Sequence, residues 1–529
     1  LNCFIEALFF VSSDSGRDGV WQDHSTADYF LFQSSFGAVS LRKRTTCPAT
    51  FATAQGSRLY FGYGSNDEAG GEFLQVVADS EPHTVSVQRD VLSTLPVFAC
   101  MQNDRMVLSN RFERVCKLAN PHQLTSDKVA LAEFLCSLPT FDRTLCQEIK
   151  LLYDRAHLEW SPRGSSLSWP QHANRPVWQQ QPPTDIRSLR KTVENTIDIY
   201  YGRYVAGQPF GCELSGGMDS SLIAGYLRSK GCDPLTITML VDGEQGAKQA
   251  RKMHALQQQF TFQNLSLFLD ATRHYPLDSV GRLRGAWPVY HYQIMGHYSL
   301  HDELLAHLAA QNVTCIFTGH GGDELCDNIP GYALGTHEDL RQLFELHNRA
   351  VAPWWTPVFS AYVRMAAQQT QGGPARSQPL VSGSIAGCMA RASSTMFDYN
   401  IWPVSPLADP QLYAYCQCLP IRYRHNRNLT RMYLQARGFP EAIYAGPADH
   451  LRDHYFQATM QNLEQPLHHY LRRSVLAAHG LLDAGTLLAE FAEAKKHKTD
   501  ESLAVEDFAF KIVSILAAEI NLQTLGLRP

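Results

Sequence analysis

Two hydrophobic patterns run along this chain. In residues 1–170, short apolar or β-branched runs at 29–32, 59–63, 84–87, 97–100 and 106–109 read as strands with turn punctuation between them. The last two runs are split by Gln102, Asn103 and Asp104, a turn composition. These short strands predict a β-rich α+β sandwich with some helix near 126–137. The opening run from Leu1 to Val11 is apolar enough to pass for a signal core. Glu6 interrupts it and no basic segment leads into it, so it reads as a buried strand. Residues 161–184 are rich in Pro, Ser and Gln and read as a linker. The expected units are therefore 1–170 and 185–529, joined by 171–184.

Beyond the linker the pattern changes. Residues 185–205 predict an amphipathic helix that stops before Gly207, Gln208 and Pro209. A short strand over 210–214, a glycine loop, a helix over 219–228 and a strand over 235–240 then form a strand–helix–strand unit. A helix over 245–258 and a strand over 313–318 continue the alternation. Such alternation predicts an α/β domain with a doubly wound parallel sheet. From 335 onward the chain reads as mostly helical, and it holds no internal repeat.

Composition narrows the possibilities. The 529 residues are 44% hydrophobic and 18% charged, with mean hydropathy −0.23, which excludes a disordered chain. The net charge of −5 offers no basic excess for general nucleic-acid binding. The apolar runs read as too short and interrupted to span a bilayer, which needs about 20 residues. Thirteen cysteines without framework spacing fit reduced thiols and a cytoplasmic location. Cys416 and Cys418 lack a second pair at zinc spacing.

The candidate chemistry sits in two glycine loops. Leu214-Ser215-Gly216-Gly217-Met218-Asp219-Ser220-Ser221 lies between a strand and a helix. Small residues let the backbone approach closely, and the free amides of a first helical turn suit a phosphate chain. The hydroxyls of Ser215, Ser220 and Ser221 add donors. Asp219 suits an anion site only if a cation bridges it, which points to Mg2+. The second loop follows the strand over 313–318 as Thr318-Gly319-His320-Gly321-Gly322-Asp323. Strand ends of one parallel sheet converge on a shared crevice, so Asp219 and Asp323 can share the metal.

The first loop resembles the pyrophosphate-binding loop of the ATP pyrophosphatase class, and no GxxxxGK[ST] stands at a comparable place. Enzymes of that class cleave ATP between its α and β phosphates and release pyrophosphate. The pair of loops, with Ala286-Trp287-Pro288, Pro406-Leu407-Ala408-Asp409-Pro410 and the segment 419–440, resembles the synthetase domain of asparagine synthetases and β-lactam synthetases. This resemblance covers most of 185–450. It implies that Leu214, Ser215, Gly216, Gly217, Asp219, Ser220, Ser221, Thr318 and Gly319 bind ATP and pyrophosphate. It also implies adenine contacts from Thr238, Met239 and Leu240, and Mg2+ on Asp219 and Asp323.

Residues 89–90, 96–98 and 106–110 resemble the glutaminase half of asparagine synthetases. That half uses a terminal cysteine whose free α-amine is the base. Here Cys3 follows Leu1 and Asn2, and the glutamine-gripping Asn-Gly-Glu-Ile-Tyr-Asn segment has no counterpart. A degenerate glutaminase-like sandwich is expected, with Cys3 as a buried strand residue. Without ammonia, the nucleophile is an amine carried by the substrate.

That describes the ring-forming branch, and Gly-His-Gly-Gly-Asp is most similar to lasso peptide cyclases. The resemblance implies a precursor peptide as substrate, with a leader peptidase and a leader-recognition protein as further partners. His320 either accepts the proton of the attacking amine or hydrogen-bonds the loop backbone. Ring-forming relatives carry a Lys after the helix corresponding to 424–437, whereas 444–454 contains none, leaving Arg452 as the replacement. The alternatives are a β-lactam-synthetase-like enzyme acting on a small amino acid, and a degenerate homologue serving as a scaffold. Glutamine-dependent asparagine synthesis ranks last. His291, His297 and His301 read as packing or cleft-lining groups, and Trp354–Trp355 as either a peptide groove or core.

Overall fold

A computed structural model describes residues 5–10, 20–44, 49–64, 72–119, 124–136, 143–153, 155–169, 186–205, 207–241, 243–270, 272–275, 277, 298–326, 352–372, 389, 395–445, 458–496 and 503–527. Cys3, the resemblance at 286–288, His291, His297 and Arg452 fall outside them.

The short strands of the amino-terminal part form two antiparallel sheets. One has seven strands, in the order 149–152, 97–101, 105–109, 5–10, 37–42, 29–34 and 22–23. The other has six, in the order 164–168, 157–161, 84–89, 73–79, 58–64 and 49–55. Side chains alternate across each strand, so Leu74, Val76 and Ala78 turn inward with Val85 and Val87 of the next. Phe9 of the first sheet faces Phe61 of the second, with ring centres 6.5 Å apart, and the two inner faces share one core. Glu6 is accommodated by the same alternation. It lies between the inward-facing Ile5 and Ala7, and its carboxylate accepts from Arg114 Nε at 2.6 Å.

The outer face of the seven-stranded sheet is covered by helices. Phe98, Cys100 and Val107 join Phe112–Leu118, Lys128–Leu135 and the long helix Leu503–Leu525 in a second core. Trp354 is buried there, its ring 5.5 Å from Phe508, while Trp355 stacks on Phe359 at 4.1 Å. Trp354 is therefore core, and Trp355 packs half-buried against that core. Against expectation, Phe508–Leu525 is long and apolar enough to pass as a membrane span, but 67% of it is buried inside the fold. That burial marks it as a core helix.

The sheet of the carboxy-terminal part is parallel, as predicted, in the order 263–269, 235–241, 211–213, 315–317 and 402–404. The helix Ile186–Tyr204 buries Leu189, Val193, Ile197, Tyr200 and Tyr204 along one stripe, which is the spacing of a single helix face. The helix Met218–Ser229 joins 211–213 to 235–241, and Gly243–Gln259 joins 235–241 to 263–269.

The described residues after 335 are mostly helical, as expected, with Trp402–Val404 added as a fifth strand. Three fully buried residues are too few to display a period. The long helix expected over 424–437 is broken. Ile421–Arg424 gives way to a 3-10 turn, and a new helix runs over Asn428–Ala436. Asn426 and Arg427 both take left-handed backbone conformations at the break, with φ of 52° and 57°.

The sandwich grips the parallel sheet at the starts of its strands. Arg44, almost fully buried, donates to the Thr314 and Asn400 carbonyls at 2.8 Å each, just ahead of strands 315–317 and 402–404. Trp402 Nε1 donates to Glu72 Oε2 at 2.5 Å, and Thr94 donates to Glu72 Oε1 at 2.9 Å. Burial pushes the Glu72 carboxyl up to about 7, and nearby Asp90 pushes the same way. The native chain therefore holds a proton on Glu72, between its ordinary value of 4.5 and about 7, that the unfolded chain has lost. Stability falls as pH rises through that window and levels off above it. Glu72→Gln mimics the protonated acid. The expected outcome is a higher Tm than the parent at pH 8, no gain at pH 5 and a flatter profile between, read by calorimetry.

Candidate active site

The first glycine loop opens at the carboxyl end of the central strand Gly211–Glu213. The Leu214 side chain is buried in the core, and its carbonyl accepts from Thr238 Oγ1 at 2.6 Å. Gly216 then takes φ +78°, which only glycine adopts without strain, and Gly217 caps the helix Met218–Ser229 with no side chain. The serines hold the loop together. Ser215 Oγ and Ser220 Oγ lie 3.0 Å apart, the Ser215 amide donates to Ser220 Oγ at 3.2 Å, and the Gly217 amide donates to Ser215 Oγ at 3.2 Å. Ser221 is fully buried in the helix. What the loop presents is thus the backbone of a helical first turn, whose amides have no partner within the helix.

Sequence reading missed the residue that fastens this loop to its neighbour. Gln249, buried on the helix Gly243–Gln259, donates through Nε2 to the Ser215 carbonyl at 3.0 Å and to the Met239 carbonyl at 2.7 Å. It ties the loop to the end of the strand carrying Thr238, Met239 and Leu240. The Thr238 side chain is buried, whereas Met239 and Leu240 are half-buried. A polar residue on an otherwise polar helix carries no signal of such a role.

The second loop lies against the first. Thr318 is buried, with Oγ1 2.7 Å from Ser405 Oγ, and it accepts from the His320 amide at 3.3 Å. A Cβ on Gly319 would stand 2.9 Å from the Ser220 nitrogen, and one on Gly322 would stand 2.2 Å from the Asp219 carboxyl carbon. The missing side chains are what let the two loops close. His320 sits half-buried on the turn between these glycines.

Asp219 and Asp323 are brought together, and a third residue joins them. Arg427 Nη1 donates to Asp323 Oδ1 at 2.8 Å, while Nη2 pairs with Asp219 Oδ2. Its left-handed backbone, ahead of the helix Asn428–Ala436, carries the guanidinium back over the loops. Asp219 Oδ1 is buried without a hydrogen-bond partner. Burial pushes this carboxyl up to about 6 despite the pull of Arg427, with Asp323 and Glu324 adding to the rise. An orphaned carboxylate oxygen beside open helix amides fits a cation bridging to an anion, so the residues suit Mg2+ with ATP. Among the described residues, no three or more His, Cys, Asp or Glu come together as a metal-holding group, in this crevice or elsewhere. His301 is buried, 3.9 Å from Glu213, as a packing residue.

Residues 192–395 match the asparagine synthase family model. The matched segment contains both glycine loops, and it supports membership of the asparagine synthetase family. Proteins of that family form amide bonds with ATP, generally with Mg2+. The segment covers less than half of the chain and ends before Trp402 and Arg427. No curated protein matches the chain.

Two variants test the asparagine synthase-like site. Gly322→Ala drives a methyl group into the Asp219 carboxyl, and ATP-dependent turnover should fall by about 10^2-fold, the usual cost of displacing a reacting group by about 1 Å. Gln249→Leu keeps the volume but leaves two carbonyls unpaired. It should lower stability by about 1–3 kcal/mol and weaken nucleotide binding, read by denaturant melts and calorimetry.

Proposed function

We propose that this chain is an ATP-dependent, AMP-forming macrolactam synthetase acting on a precursor peptide. The observation that carries the AMP-forming part is the closure of two glycine loops around Asp219, at the carboxyl ends of adjacent strands in a parallel sheet. In this reading an Asp or Glu side-chain carboxylate of the peptide attacks the α-phosphorus of ATP, and pyrophosphate leaves toward the amides of the Met218–Ser229 helix. Asp219 and Asp323 would hold Mg2+, which would supply positive charge to the phosphate chain. Thr238, Met239 and Leu240 meet the adenine.

The peptide's own α-amine then attacks the acyl carbon, its proton passes to His320, and AMP departs. The Gly-His-Gly-Gly-Asp string supports a peptide amine as the nucleophile, because it is similar to the loop of lasso peptide cyclases. Holding both ends of one molecule makes the attack intramolecular, which favours ring closure over hydrolysis. A leader peptidase and a leader-recognition protein belong to the same reading, as does a cytoplasmic setting. Arg452 remains the proposed cation of the second step.

One observation favours a second reading. Arg427 lies across both candidate metal carboxylates, as it would in a homologue that has kept the fold and lost the reaction. Nucleotide product analysis with candidate peptides separates the two. The expected result is peptide-dependent AMP and pyrophosphate, with the peptide lighter by one water and no product from Asp219→Ala. AMP with small amino acids alone points to a lactam synthetase. Absence of AMP with every substrate overturns the proposal and leaves the scaffold.

A further inference from the structure

We propose that Arg427 is an exchangeable counter-ion: the guanidinium and a divalent cation compete for the same two carboxylates, Asp219 and Asp323. The inference rests on the reading of this crevice as a Mg-ATP site. Its geometry is that of a removable clamp. The two arms of one guanidinium reach two acidic side chains from different loops, one arm to Asp219 Oδ2 and the other to Asp323 Oδ1 at 2.8 Å. The two ends differ in their surroundings. The Asp219 side chain is 15% exposed and pinned by Gly319 and Gly322, whereas the Asp323 side chain is 65% exposed.

Water and ions therefore reach the Asp323 end first, and an ion pair open to solvent is the weaker half of the clamp. Asp219 Oδ1 is left over after Arg427 has taken the other oxygen, so the carboxylate can still gain a cation partner. A cation that binds both carboxylates meets a like charge within the same few ångströms, and the guanidinium must give way. Its attachment suits such a movement. Arg427 ends the 3-10 turn His425–Arg427 and caps the helix Asn428–Ala436 in a left-handed conformation, so its backbone lies at a junction and not inside an α-helix.

A consequence for the reaction follows. Without nucleotide, Arg427 neutralises the carboxylates and metal binds weakly. With nucleotide, the phosphate chain offers the displaced guanidinium a new anionic partner, so metal and triphosphate enter together. Arg427 then acts as a positioning residue that couples the two.

The test is Mn2+ binding to the full chain without nucleotide, following the free-ion signal by electron paramagnetic resonance. Arg427→Gln and Arg427→Met remove the competing charge, and both should bind Mn2+ roughly tenfold more tightly than the parent, the worth of one charge-assisted contact. Arg427→Lys keeps the charge but loses the fork, and should fall between the parent and the neutral variants. Unfolding midpoints identify any variant that has lost its fold, and the polar Gln variant carries the test if Met fails. Equal or weaker Mn2+ binding by the folded neutral variants overturns the inference. Mn2+ binding needs no turnover, so the two readings fail separately. Tightening without AMP formation would sink the proposed function alone, and AMP formation without tightening would sink the counter-ion alone.

Discussion

The carboxyl of Asp219 has to sit where two backbone loops meet, and the rest of the site is arranged around that constraint. Burying a carboxylate is costly unless cations and donors compensate it. Gly319 and Gly322 remove the atoms that would occupy its place, and Arg427 supplies the charge. The loop before it is held by its own serines and by Gln249, so the backbone is already shaped before any ligand arrives. Preorganisation of this kind lowers the cost of ordering on binding.

The same logic explains the placement of the amino-terminal sandwich. Arg44 and Glu72 fasten it to residues at the starts of the last two parallel strands and to Trp402. The crevice at the opposite, carboxyl ends of the strands is left to the glycine loops. Ligands of open α/β sheets occupy that crevice, so an attachment at the strand starts stabilises the sheet without covering it. On its far side the sandwich shares a core with the carboxy-terminal helices, which makes its removal a matter of stability as well as of function.

The missing lysine near 444–454 takes a different weight once Arg427 is seen. The crevice does contain a cation within hydrogen-bonding reach of its carboxylates. Arginine differs from lysine in carrying a planar fork that can hold two carboxylates at once. A site built on it can keep its acidic residues paired without a metal.

Local pattern determined much of this protein. The strands around 29–32, 59–63 and 84–87 are legible because short apolar or β-branched runs between turns mark them. The stripe from Leu189 to Tyr204 is legible because a helix repeats its buried positions. The two glycine loops were legible because their chemistry is written in consecutive residues at strand ends. Only the tertiary structure revealed Trp402–Val404, whose three buried residues have no period, and the break at Asn426 and Arg427, which interrupts a helical pattern without glycine or proline. Only the fold could bring Arg427 to Asp219, 208 positions apart, or Gln249 to Ser215, 34 apart. Periodicity records which side of an element is buried. It holds no information about which polar side chains from distant elements will meet.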